Sequence, residues 1–424
     1  MKQSQPILKV GIVSDIQGLP SEHDWGIYNL GLALDILAQK QIDTLIMAGD
    51  LAENGNPLTY RLYWKMIRDR FGEKMPRHVA CEGNHDCNRT FPQDFAVRFA
   101  EVCRGLHREN VNPWHAVIDG YDFIAFAASD GMHYSEASLP ALEAALRKAV
   151  ERDHEKPIFV ITHFPPENTV SGSHSEAGSP ELLKVLEKYS QAVSFSGHTH
   201  YPLEDERTIW QGAFTAVETS TLAYGCATEE QAVNTVNGIL PFAREVTQML
   251  YMEVFSDRLE IHRYNVAEQR EIFPEQLWRV KLPYRPEEAI YAPERRLHRQ
   301  APQFAADANI LMRLDYGYVY LIFDGTCEGD FAQFYDVEIS ERNSDGDGKT
   351  FRQYRYISHF YRLEKNREKR LFYKLPDALK AGGKYRFRVY PVESFGNRGK
   401  PLEMFYEIPS CYVSREGVPL YPQE

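Results

Sequence analysis

Seven side chains able to hold divalent cations stand at the ends of apolar runs. They are Asp15 and Gln17 after "ILKVGIVS", Asp50 closing "IDTLIMAGD", Asn84 within "GNHD", His163 closing "KPIFVITH", and His198 and His200 within "GHTH". Together they offer two carboxylates, two amide oxygens and three imidazoles, too many donors for one ion and enough for two. A pair of divalent ions about 3.5–4 Å apart is the usual clamp for in-line attack at phosphorus. With neutral imidazoles, two such ions outweigh the two carboxylates, so the site keeps positive charge for a phosphate oxyanion. His85 of GNHD is the neighbouring titratable group. Beside two cations its charged form is disfavoured unless a carboxylate supports it. Asp86 and Glu53, in "GDLAENG", are both candidates for that support.

The elements that must position these residues are legible around them. Runs of this length, rich in Ile and Val and apolar throughout, suit strands covered on both faces. Between them, "NLGLALDILAQKQ", "YRLYWKMIRDRF" and "LPALEAALRKAVERD" repeat apolar residues at helical spacing. Strands alternating with helices predict a layered α/β core. In such sheets ligands gather at the carboxyl ends of the strands. All five polar clusters fall at such ends, which predicts one shared site. The two-residue alternation of a strand turns Ile16 inward and sets Gln17 beside Asp15.

The ordered series D-x-Q, GD, GNHD, H and GHTH over residues 8 to about 202 resembles the calcineurin-like metallophosphoesterase superfamily, whose usual pattern begins D-x-H. The resemblance implies a four-layer α/β/β/α sandwich. It implies that Asp15, residue 17 and His200 bind the first metal, that Asn84, His163 and His198 bind the second, and that Asp50 bridges both. His85 is left free to stabilise the transition state or to protonate the leaving oxygen, and a metal-bound hydroxide is the implied nucleophile. Gln17 is the departure from the pattern. An amide oxygen is a harder donor than imidazole and favours Mn or Mg over the metals that prefer nitrogen. D-x-Q also resembles the branch of Mn-dependent ADP-ribose/CDP-alcohol diphosphatases. Mn is therefore the expected metal, with Fe, Zn, Mg and Co as alternatives, and Gln17 either ligates or leaves a position to water.

Beyond the motifs, the net charge of -12 argues against a general nucleic-acid binder. The acidic excess lies within residues 1–304, where bound cations would offset part of it. No stretch reaches the roughly 18 apolar residues of a membrane span. "MKQSQPILKV" lacks a secretory h-region, so a cytoplasmic protein is expected. The six cysteines show neither a CxxC pair nor framework spacing and read as thiols. The polar loop at 164–181, "STLAYGCAT" at 220–228, Tyr201, His174 and His23 are candidates for substrate contact.

The catalytic domain is expected over residues 1–265 and a Pro- and Arg-rich linker or wrapping segment over 266–304. Residues 305–424 alternate in short aromatic-rich runs separated by turns such as "NSDGDG" and "KAGGK", which predicts an all-β sandwich. "KYRFRVYPVESFGNRGKPL" resembles a strand of a fibronectin type III or related immunoglobulin-like module. Three uses are open to such a module: binding a protein partner, binding a glycan, or packing on the catalytic domain. The expected activity is dinuclear-metal hydrolysis of a phosphodiester or diphosphate bond in a small, nucleotide-like molecule. The alternatives are a phosphomonoesterase or protein phosphatase, and a weakly active phosphoesterase that acts mainly as a binding protein through its sandwich.

Overall fold

A computed structural model describes residues 5–87, 112–128, 131–174, 177–343 and 346–412. The chain divides into two compact units, one of Met1–Glu229 with Ala243–Pro293 and one of Glu230–Phe242 with Glu294–Glu424.

The first unit runs through β1 (Leu8–Val13), α1 (Trp25–Lys40), β2 (Thr44–Ala48), α2 (Pro57–Phe71), β3 (Arg77–Cys81), β4 (Trp114–Ile118), β5 (Tyr121–Ala125) and α3 (Leu139–Arg152). It continues through β6 (Ile158–Ile161), α4 (Pro180–Leu186), β7 (Ala192–Ser196), β8 (Ile209–Gln211), β9 (Thr215–Glu218), β10 (Gln248–Val254), β11 (Arg258–Asn265), β12 (Arg270–Glu271) and β13 (Trp278–Lys281). One sheet has the order β12-β11-β10-β1-β2-β3, with β13 also paired to β11, and the other the order β4-β5-β6-β7-β9-β8.

The apolar strands are continuous because both of their faces are covered. Val10, Ile12, Ile46 and Val79 of the first sheet meet Phe123, Phe159, Ile161 and Phe195 of the second in one core. Val13, Leu45 and Met47 turn the other way, onto Leu30, Leu34, Leu37 and Ile67 of α1 and α2. On the second sheet Ile124 and Val160 pack with Leu142, Leu146 and Leu182 of α3 and α4. The result is the expected four-layer α/β/β/α sandwich. Local chemistry starts the helices in place: Asp24 accepts from Ile27 N, Asn56 from Leu58 N ahead of Pro57, and Ser179 from Leu182 N ahead of Pro180.

The boundary expected at residue 265 does not coincide with this division. Trp278–Lys281 pairs antiparallel with β11, and Trp278 is buried against the guanidinium of Arg263 at 4.5 Å. Within residues 266–293, Arg270–Glu271 and Trp278–Lys281 add edge strands to β11, and alternate residues of "WRVK" complete the inter-sheet core.

The second unit contains β14 (Leu311–Asp315), β15 (Tyr318–Asp324), β16 (Phe334–Asn343), β17 (Gly346–Ile357), β18 (Arg370–Lys374), β19 (Lys384–Val392) and β20 (Leu402–Glu407). They form a three-stranded sheet, β14-β15-β18, and a four-stranded sheet, β17-β16-β19-β20, both antiparallel. Leu321 and Phe323 of the first share a core with Val337, Ile339, Phe387 and Val389 of the second. This is the expected all-β sandwich. β16 and β17 pair up to Asn343 and Gly346, and the tip of the expected "NSDGDG" turn at 344–345 lies outside the described residues. Among the described residues no helix is long and apolar enough to cross a membrane.

Candidate metal centre

The carboxyl ends of β1 and β2 stay joined beyond the strands themselves. Asp15 N donates to Gly49 O at 3.0 Å, and the amides of Ile16 and Gln17 both donate to Asp50 O at 2.9 Å. Asp15, Gln17, Asp50, His198 and His200 all have left-handed backbone, with φ of 50°, 48°, 51°, 72° and 55°. Each such residue costs about 1–3 kcal/mol and persists only where its surroundings hold it. Here the twist turns each chain end so that its side chain points into the same space. The motif glycines make room for those side chains. A Cβ at Gly49 would strike the His163 imidazole, one at Gly83 the Asp50 carboxylate, and one at Gly197 the Asp15 carboxylate.

Two donor clusters result, and Asp50 belongs to both. Asp50, His163 and His198 form one, and Asp15, Asp50 and His200 the other, with the ligand atoms of each set within 4.8 Å of one another. Asp50 Oδ2 lies 3.2 Å from His163 Nε2, and Asp15 Oδ1 lies 3.0 Å from His200 Nε2. Asn84 Oδ1 is 3.1 Å from His163 Nε2 and so joins the first cluster. The Gln17 amide ends 3.4 Å from His200 Nε2 and joins the second, and rotation of the amide presents its oxygen to the same point. The Asp15 carboxylate also accepts the backbone N–H of His198 at 3.0 and 3.1 Å, which ties the two motifs together.

The outer nitrogens of two imidazoles are committed to the backbone. His163 Nδ1 donates to Ala48 O at 3.1 Å, and His200 Nδ1 donates to Tyr224 O at 2.7 Å. Each Nε2 therefore faces the carboxylates, the position from which it would ligate a metal once deprotonated.

The electrostatics carry the same message. Burial works against a charged His163, but Asp50 outweighs it and pushes the group up to about 9. His200 is likewise raised, with Asp15 overcoming burial. His198 is pushed down to about 3, by burial first and by His163 second. Burial raises Asp50, yet His163 and His85 bring it below the usual carboxylate range. Two buried carboxylates thus draw protons onto two imidazoles to balance their charge. A divalent cation in each cluster supplies that balance instead, so these donor sets fit metal ions.

His85 lies beside the clusters, with its ring Nε2 3.9 Å from Asp50 Oδ2 and its backbone N–H donated to Asp50 Oδ1 at 2.7 Å. Of the two carboxylates considered for it, Glu53 takes the place: its Oε2 meets His85 Nδ1 at 2.8 Å. Asp86 instead turns inward and accepts from Leu51 N, Ala52 N, Gly83 N and Tyr60 Oη. Burial, followed by the nearby Asp50, pushes Asp86 up to about 7. Its work is to join the GD and GNHD loops.

Other candidates fall differently. Tyr201 is buried, and its hydroxyl accepts Glu229 N at 3.1 Å, so it is core rather than pocket wall. His174 is engaged with Glu229 through both its backbone N–H, at 2.6 Å, and its ring, at 3.4 Å. His23 is exposed. Contacts that the motifs do not announce come from 220–226. Thr221 Oγ1 donates to Asp15 O at 3.0 Å, and the Tyr224 ring lies 4.6 Å from that of His200. The only sequence signal for them is the small, polar "STLAYGCAT" after the last motif.

A two-sheet α/β sandwich that gathers buried carboxylates, imidazoles and amides into two clusters sharing one aspartate defines a metal-dependent phosphoesterase. Residues 8–202 match the family model of the calcineurin-like phosphoesterases. Among solved structures the chain is similar to a dimetal phosphatase from Danio rerio (10% identity, 63% of this chain and 99% of that one, TM-score 0.42). It is also similar to the yellow lupin purple acid phosphatase PPD1 (14% identity, 66% of this chain and 54% of that one, TM-score 0.47). A third is a 5'-nucleotidase precursor from Thermus thermophilus (13% identity, 66% and 55%, TM-score 0.35). No curated protein matches the sequence significantly.

Proposed function

We propose that the chain hydrolyses a phosphodiester or diphosphate bond in a small, nucleotide-like molecule, using two divalent cations, with Mn(II) favoured. The observation that carries this reading is Asp50, whose carboxylate belongs to both donor clusters. In this reading Asp15, Gln17 and His200 hold one ion, Asn84, His163 and His198 hold the other, and Asp50 is shared. When bound, the ions supply Lewis acidity at the phosphoryl oxygens and offset the two buried carboxylates.

The rest of the chemistry belongs to the chain. His85 with its Nδ1–H on Glu53 can carry a second proton on Nε2 and give it to the leaving oxygen. That proton matters most for a poor leaving group such as the alkoxide of a diester. The amide of Gln17, where the family pattern has an imidazole, supports the hard-metal preference. For the second unit, its seven strands divided three and four support a fibronectin type III or related immunoglobulin-like module.

The test is hydrolysis of bis-p-nitrophenyl phosphate against p-nitrophenyl phosphate with Mn, Mg, Co, Zn and Fe, followed by a panel of nucleotide and sugar diphosphates. Faster turnover of the diester, with Mn as the best metal, is expected. Faster turnover of the monoester would make the protein a phosphomonoesterase. No turnover with any metal would leave a binding protein.

A further inference from the structure

Away from the clusters around Asp50, the outer face of the first sheet carries another set of metal donors. The inward residues of β10 and β11, Leu250, Met252, Leu259 and Ile261, fill the inter-sheet core. The alternate residues face outward, so "EIH" in β11 sets Glu260 and His262 together on that face. Register brings Glu253 of β10 opposite Glu260, and Tyr251 opposite His262. Glu271 of β12 lies opposite Tyr264, one outward position beyond His262. Lys9, near the start of β1, pairs with Glu253. The set therefore lies toward the amino end of β1, whereas Asp15 follows its carboxyl end.

Glu253, Glu260 and His262 each offer a ligand atom within 4.8 Å of the others, and all three residues are half-buried. Each is also held by a neighbour from outside the set. His262 Nδ1 donates to Glu271 Oε1 at 2.6 Å. Tyr251 Oη donates to Glu253 Oε1 at 2.9 Å. Glu260 Oε1 accepts from Arg258 Nε at 2.9 Å and from Arg279 Nε at 3.1 Å. His262 Nε2 is itself buried, has no hydrogen-bond partner, and lies 3.8 Å from Glu253 Oε2. A buried nitrogen left without a partner is costly, and a bound cation would satisfy it. A carboxylate on the far nitrogen is the arrangement that orients metal-binding imidazoles. The charges agree. Arg258 and Arg279 are both engaged with Glu260, and Lys9 turns its Nζ to Lys40 O at 3.4 Å. Glu253 and Glu271 thus bring two negative charges to one imidazole.

We propose that Glu253, Glu260 and His262 form a separate site for one divalent cation of the Zn(II) class. One imidazole and two carboxylates are a mixed nitrogen and oxygen set. It suits Zn(II) and the neighbouring late first-row ions better than Mg or Ca, which prefer oxygen alone. Three protein ligands leave a fourth position for water on the solvent side. The ion joins β10 to β11, and Glu271, through His262, extends the clip to β12. Its place on the outer face keeps it out of the hydrolytic chemistry, so its role is to fasten the sheet near its edge.

The test is Zn(II) titration of the metal-free full-length chain against a competing chromophoric chelator, with no turnover needed. His262→Gln and Glu253→Gln should each take up one tight equivalent fewer than wild type. Glu271→Gln keeps the three ligands and loses the charged acceptor, so it should weaken that same equivalent about 10-fold. It also serves if a ligand variant does not fold. Any ions held around Asp50 are common to all these proteins and drop out of the comparison. The result therefore stands whether or not the hydrolytic reading does. The same number of equivalents at the same affinities in wild type and the variants would overturn the site. His262 would then be a cation bridging Glu253 and Glu271. Equal weakening of every equivalent would overturn it too, since that marks a general loss of structure rather than of one site.

Discussion

In the half of the centre that contains His163, the imidazole follows the end of β6 and rests its Nδ1 on Ala48 O, the last residue of β2. It is fully buried. In the half that contains His200, all three donors, Asp15, Gln17 and His200, have left-handed backbone, and bonds from the 221–226 loop add to those that Asp15 and Gln17 make with Gly49 and Asp50. The His163 imidazole is thus set by regular sheet, whereas the His200 half is built wholly on strained strand ends, with a loop outside the sheet among their supports. Strain of this kind is stable only while its supports remain, so loss of those supports is expected to disturb the second half before it disturbs the fold.

The sharpest way to break the comparison is to remove what the halves share. Asp50→Asn should lose both ions and lower kcat/KM by about 1,000-fold or more, as metal analysis and turnover would show. Retention of both ions would contradict the shared role. His85→Asn should keep both ions and lower kcat by about 100- to 10,000-fold, the range for loss of a general acid. Glu53→Gln should cost less, about 10-fold, and should shift the pH profile of kcat, since it acts through His85.

The first half can be sharpened by pH. In the metal-free protein His163 is pushed up to about 9 from an ordinary value near 6.5. A raised histidine contributes stability that is fully present below about 6.5 and is lost as pH rises through about 9. Denaturant unfolding of the metal-free chain should therefore lose about 1–3 kcal/mol over that window. His163→Gln should flatten the loss. The second half is tested by Gln17→His, expected to move the metal preference from Mn toward Zn or Fe by several-fold in metal-titrated activity. Identical preference and affinity in the two proteins would leave Gln17 outside the metal's coordination.

Much of the centre was legible because its residues are local. A strand that ends in Asp15 or His163 announces both the layer and the carboxyl edge, and five such ends in order predict one site. The glycines of GD, GNHD and GHTH belong to the same local grammar, since each clears space for a named ligand. The choice between Glu53 and Asp86 was not legible. Both stand near His85 in sequence, and which one reaches its Nδ1 depends on how the GD and GNHD loops cross. The edge strand in "WRVK" was hidden by its Pro- and Arg-rich surroundings, which mask a pairing partner well upstream, such as Arg258, 23 positions before Lys281.

The amino-acid sequence by itself determined the strand runs, the caps that start the helices, the donor types and the amide at position 17. Periodicity, capping and ligand chemistry are properties of neighbouring residues and act before the fold closes. Only the tertiary structure decided that Asp50 serves two clusters, that Glu53 supports His85, and that 221–226 grips Asp15 and His200. Those contacts join residues 24 to 207 positions apart, such as His200 with Tyr224 and Leu222 with Asp15. Their geometry exists only after two sheets have packed and bent their strand ends toward one point.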